Sequence, residues 1–87
     1  MRYIKIFIDP KEGLVKAHYE DNNLIRVVLK DGIDFYFTTF NGERKLHRVD
    51  GPALIYNNIK NWYYRGQLID CFSQEEFERL IKLKAFF

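Results

Sequence analysis

Apolar and other positions alternate with a period of two up to about residue 70, and a helical period replaces it from there. Ile4, Ile6 and Ile8 alternate with Tyr3, Lys5 and Phe7, which predicts a first strand. Asp9-Pro10-Lys11-Glu12-Gly13 then supplies turn chemistry, because proline presets φ and glycine accepts a positive one. Val15, Ala17 and Tyr19 alternate with Leu14, Lys16 and His18 in a second strand, and Asp21-Asn22-Asn23 turns the chain again. Strands over 24–30 and 33–40 flank Asp31-Gly32, a strong signal for a two-residue hairpin loop. Asn41-Gly42 closes the next turn by the same logic. A second hairpin over 52–56 and 59–65 turns at Asn57-Asn58, which tolerate the left-handed backbone, and 67–70 adds an edge strand.

Ser73-Gln74-Glu75-Glu76 fits a capping box, with Phe72 and Phe77 at the positions of a hydrophobic staple. Phe77, Leu80 and Ile81 then form one apolar stripe, and Lys82 and Lys84 sit near the C-terminal end, where the helix dipole favours cations. These signals predict a helix from about 74 to 85, inside a terminal segment of 73–86. The expected fold is α+β: a twisted antiparallel β-meander of about six or seven strands closed by one C-terminal α-helix. It forms a single domain over 1–87, with an N-terminal hairpin at 1–23 and two related hairpin units at 24–70.

Those two units share a pattern. Residues 28–37 lie over 54–63 at an offset of 26, with two apolar residues, a tight turn, an isoleucine, two variable positions and then aromatics. Beyond an insertion at Thr38-Thr39, Phe40-Asn41-Gly42 matches Tyr64-Arg65-Gly66. Such an offset suits a repeated β-hairpin unit in which the N-terminal strands and the C-terminal helix act as caps.

Leu46-His47-Arg48-Val49-Asp50-Gly51-Pro52-Ala53, followed by Tyr56, Trp62-Tyr63 and Gly66, resembles the HRxDGPA…WYxxG units of small proteins from bacteriophages and bacteria. Those units are similar to MORN-type β-hairpin repeats. This chain departs from the usual pattern, with Asn57-Asn58 and Arg65-Gly66 where Asn-Gly is common, and it holds one full unit and one degenerate one. The resemblance covers roughly 28–84 and implies a twisted meander with a terminal helix, often phage-encoded. It implies no agreed activity.

Composition narrows the classes. Apolar residues make up 47% of the 87, and aromatic ones 17%, too many for a disordered chain. Fourteen Lys and Arg against 12 Asp and Glu leave +2, which is no footprint of a dedicated nucleic-acid binder. The one cysteine, Cys71, excludes an internal disulfide and favours a reducing compartment. Lys5 and Asp9 interrupt the apolar N-terminal run, and no stretch approaches the ~20 apolar residues of a membrane span. The expected location is the cytoplasm of a bacterial host, away from membranes.

Chemistry-bearing residues are sparse. His47, Arg48 and Asp50 form the one cluster that hints at catalysis, a base oriented by a carboxylate, but no serine or cysteine stands near as a nucleophile. The simpler reading makes Asp50-Gly51-Pro52 a turn around which His47 and Arg48 hydrogen-bond. His18, His47 and Cys71 lack zinc-ligand spacing, so no metal and no cofactor are expected. Cys71 reads as a small buried hydrophobe.

Two-residue loops place Ile25, Val27, Leu29, Tyr36, Ala53, Ile55, Trp62 and Tyr64 on one face. Leu24, Val28, Ile33, Phe35, Phe37, Leu54, Tyr56, Ile59 and Tyr63 then share the other with Arg26, Lys30 and Arg65. Both faces read as apolar, so the helix and the N-terminal hairpin must cover them or part of one stays open. Tyr, Trp and Arg are the residue types of binding hot spots. The expectation is a non-enzymatic binding protein that blocks a host protein, an antiviral defence component among the targets. The alternative is a nucleotide or single-stranded nucleic-acid binder, with Tyr36, Trp62 or Tyr64 stacking on bases and Arg48, Lys60 or Arg65 meeting phosphates. His47 and Asp50 complete the candidate site, and a homodimer seam to which Phe86-Phe87 contributes is a further expectation.

Overall fold

Turn residues set the architecture. The computed structural model describes residues 1–84; Ala85, to which the helix was expected to run, and Phe86-Phe87 of the expected seam lie outside the described residues. Eight strands precede one helix: β1 Arg2–Asp9, β2 Gly13–Glu20, β3 Asn23–Leu29, β4 Asp34–Phe40, β5 Glu43–Leu46, β6 Leu54–Tyr56, β7 Ile59–Tyr64, β8 Gln67–Ile69 and α1 Gln74–Lys84. All pairings are antiparallel, and seven strands follow in the order β1-β2-β3-β4-β6-β7-β8. The meander with its C-terminal helix is therefore the fold, with one strand more than the alternation indicated. That strand is β5, which pairs with the far end of β4.

Besides Asp31-Gly32, four turns carry consecutive left-handed residues: Asp21-Asn22, Asn41-Gly42, Asn57-Asn58 and Arg65-Gly66. Each joins strands paired right up to the turn, as two-residue hairpins require. The Asp31-Gly32 turn differs. Leu29 N–H donates to the Ile33 carbonyl across a three-residue turn at Lys30–Gly32, in which Asp31 has φ 67° and Gly32 φ 76°. The register becomes Arg26↔Tyr36 and Val27↔Phe35. One extra loop residue turns β3 over relative to expectation, because side chains alternate with period two. Val27 and Leu29 consequently join Phe35 and Phe37, while Arg26 and Val28 join Tyr36.

The helix packs one face only. Phe77, with no exposure, meets Trp62 and Ile69, and Tyr64, Cys71, Leu80 and Ile81 close around them. Ser73 Oγ accepts the Glu76 N–H at 3.1 Å, the expected cap. Phe72 is 90% exposed, so the staple is not made. Burying Phe77 and Trp62 is worth roughly 1.5–3 kcal/mol each, against ~1 kcal/mol for the cap, so packing rather than capping holds the helix down.

The N-terminal hairpin extends the sheet sideways as β1 and β2, and Val15 and Ala17 of β2 are buried within it, at 5 and 3% exposure. Residues directly opposite one another share a face. The helix side therefore carries Ile4, Ile6, Ile8, His18, Arg26, Tyr36, Ile55, Trp62 and Tyr64. The other side carries Tyr3, Phe7, Val15, Ala17, Val27, Phe35, Phe37, Leu54, Tyr56, Ile59 and Tyr63, and no helix lies on it.

Candidate functional site

The HRxDGPA segment departs from the sheet and returns to it at one residue. His47 N–H donates to the Tyr36 carbonyl at 3.0 Å, and Tyr36 N–H donates to the Ala53 carbonyl at 2.7 Å. Residues 48–52 are the excursion between, and Arg48 folds back inside it. Its guanidinium stacks on the Tyr36 ring at 3.9 Å, donates from Nε to Asp50 at 2.9 Å and from Nη1 to the Pro52 carbonyl at 3.2 Å. A β-carbon on Gly51 would stand 2.7 Å from the guanidinium carbon, so a side chain there would push Arg48 from this seat. Backbone N–H groups of Arg48 and Ala53 donate to the Tyr63 and Asn61 carbonyls, which tie the loop to β7.

His47 serves the neighbouring turn. Its Nδ1 accepts the Arg65 backbone N–H at 2.8 Å, and its ring tilts against Tyr64 at 5.1 Å. Burial, helped by the nearby Arg65 charge, pushes the imidazole pKa below its usual value. The Arg48 hydrogen bond holds the Asp50 carboxyl below its usual range. Asp50 is thus the partner of Arg48, and the Nδ1 of His47 is committed to backbone. Arg48 thus hydrogen-bonds around the 50–52 bend as the turn reading has it, whereas His47 bonds the Arg65 turn instead.

A cleft of 350 Å³ lies beside this loop, lined by Tyr36, His47, Arg48 and Asp50 together with Arg26, His18, Glu20 and Arg2. Alternation across a two-residue loop sets Arg26 on the opposite face, and no sequence signal marks Asp34. Arg26 donates to both Asp34 oxygens at 3.0 and 2.7 Å and lies 4.9 Å from the Tyr36 ring, on the side of β3 that the two-residue loop had misplaced. The Asp34 hydrogen bond raises the Arg26 pKa. Each arginine in the cleft carries its own carboxylate: Arg2 with Glu20, Arg26 with Asp34, Arg48 with Asp50. An anion entering would compete with all three.

The remaining candidates lie elsewhere. Trp62 is 6% exposed beneath the helix, its Nε1–H donating to Gln74 Oε1 at 2.8 Å, and is closed to stacking ligands. Tyr64 packs against the same core. Lys60 is exposed on β7. Arg65 stands over the rings of Phe40 and Tyr64, at 5.4 and 5.2 Å. With Arg44 and Lys45 it lines a basic hollow of 510 Å³. Burial raises the pKa of the Cys71 thiol, which keeps it protonated and poorly nucleophilic. Among the described residues no three or more of His, Cys, Asp and Glu gather to hold a metal. No described helix is long and apolar enough to cross a membrane, which says nothing of spans made by strands.

The face opposite the helix is the other candidate. Phe35 and Phe37 stack at 6.2 Å, and Tyr3 and Tyr19 stack at 5.0 Å with Lys5 over Tyr19. Phe7, Tyr56, Ile59 and Leu68 are exposed around them. An antiparallel sheet face left to water ordinarily reads polar; this one does not. Comparison with protein-family models, curated proteins and solved structures finds no match for the chain.

Proposed function

We propose that this chain is a non-enzymatic binding protein, of the phage or mobile-element kind that its hairpin units resemble. It blocks a host protein, an antiviral defence component among the targets, by direct contact through the sheet face opposite the helix. The observation that carries this reading is the set of exposed apolar side chains on the sheet face opposite the helix. One helix lies on one face, while the opposite face presents Phe7, Tyr56, Ile59 and Leu68 to solvent around the Phe35–Phe37 stack. Exposed apolar and aromatic side chains such as these are the kind that anchor interaction sites. Of the eight residues first considered, Tyr36, Lys60, Trp62 and Tyr64 lie on the helix side, Arg48 and Asp50 in the loop clip, and His47 and Arg65 at the neighbouring turn. Placing charge on the open face, by Tyr56→Asp with Ile59→Asp, abolishes capture of the partner in this account; unchanged capture refutes it.

A second reading rests on a different place. The hollow of Arg44, Lys45 and Arg65 has Lys45 and Arg65 at 6.0 and 5.4 Å from the Phe40 ring, and the ring itself is 42% exposed. A phosphate with a stacked base fits such a corner. Binding of a short oligonucleotide or a nucleotide there weakens steeply between low and moderate salt. Salt-indifferent or absent binding removes this alternative.

A further inference from the structure

We propose that β1 is a dimer seam, pairing antiparallel with β1 of a second copy about a two-fold axis at Ile6. The two edges of the sheet are unlike. β8 ends it with three residues, a blunt edge, whereas β1 ends it with eight. A long outer strand presents a row of backbone donors and acceptors, a template for another strand. Ile4, Ile6 and Ile8 line one side of that strand at 55, 62 and 80% exposure, an apolar ladder that the chain itself leaves uncovered. Charged residues commonly guard such edges, but Lys5 lies back over the Tyr19 ring at 5.4 Å.

The sequence of β1 selects both occupant and register. A two-fold perpendicular to the sheet keeps isoleucines on one side only when it passes through a residue. An axis at Lys5 sets Lys5 against the partner's Lys5, like charges in direct opposition. At Phe7 it faces Lys5 with the partner's Asp9 but leaves Ile4 opposite the partner's Pro10, and proline cannot donate to a ladder. At Ile6 it pairs residues 3–9 with 9–3, bounded at each end by Pro10. Ile4 then meets the partner's Ile8 and Lys5 meets the partner's Phe7, with the partner's Asp9 and the partner's Lys5 at its two diagonals, so like charges are no longer directly opposed. An exposed ion pair contributes little beside an added isoleucine pair, so the Ile6 axis wins. The strand is self-complementary in charge, basic at Arg2 and Lys5 and acidic at Asp9, which an antiparallel copy matches and a parallel one does not.

Sedimentation velocity on the full chain, from micromolar to millimolar concentration, tests this. The expected result is a species of about twice the 10.5 kDa chain mass that Ile6→Lys returns to chain mass, with an unchanged circular dichroism spectrum. In a Cys71→Ala background, Ile6→Cys oxidises to a covalent dimer, while Phe7→Cys, whose copy lies across from Lys5, does not. Chain mass at every concentration overturns the proposal and leaves the edge to another strand or to water. A dimer indifferent to Ile6→Lys, or one that crosslinks as well through position 7, overturns it equally.

Discussion

Arg48 and Gly51 compete for one volume: the guanidinium carbon lies 2.7 Å from where a Gly51 β-carbon would stand. Arg48 is also pinned by Tyr36, Asp50 and the Pro52 carbonyl, so it cannot swing aside without losing all three. Gly51→Ala is expected to cost about 1–3 kcal/mol. In an Arg48→Ala background the same change is expected to cost far less, because the clash has gone. Urea unfolding of the four proteins of this double-mutant cycle measures the coupling; additive losses would contradict the clip.

His47 makes stability depend on pH. Its folded pKa lies below the usual 6.5, through burial first and the Arg65 charge second. The unfolded chain therefore binds a proton that the folded chain refuses, and Nδ1 cannot accept the Arg65 N–H once protonated. This contribution is fully present above pH 6.5 and is lost as pH falls through the folded value. Unfolding free energies measured across that window should decline in the wild type more steeply than in His47→Gln.

Gln74 ties the helix to the sheet, accepting from Trp62 Nε1 and donating to the Val49 carbonyl, both at 2.8 Å. Gln74→Leu strands a buried indole N–H, at a cost of about 1–3 kcal/mol. Trp62→Ala removes the core and is expected to cost about 3–5 kcal/mol, a large share of the 5–15 kcal/mol typical of domains. Thermal melts followed by circular dichroism rank the two; near-equal midpoints would show that Trp62 is held by other contacts.

Local chemistry was readable where local rules operate. The helix announced itself through Ser73 and the Phe77–Leu80–Ile81 stripe, and the meander through its Asn and Gly turns. The strand β5, Glu-Arg-Lys-Leu, carries no alternation of its own. It is a strand because the Asn41-Gly42 turn sends it back along β4, which no window within it reveals. The third residue in the Lys30–Gly32 turn was likewise hidden, since Asp-Gly suits either loop, and that one residue moved Arg26 beneath Tyr36. The turn within 50–52 was legible for the same local reason. Its stacking partner, Tyr36, was not, because it arrives from a strand that is distant in sequence.

The most direct test of the central claim is quantitative capture from bacterial lysate on three immobilised forms of the chain. These are the wild type, Tyr56→Asp with Ile59→Asp on the open face, and Lys60→Glu on the helix side of the same strand. A protein held by the wild type and by Lys60→Glu, but depleted on the open-face variant, is the predicted result. Recovery of the bait alone, or equal capture by all three forms, would contradict binding through the open face.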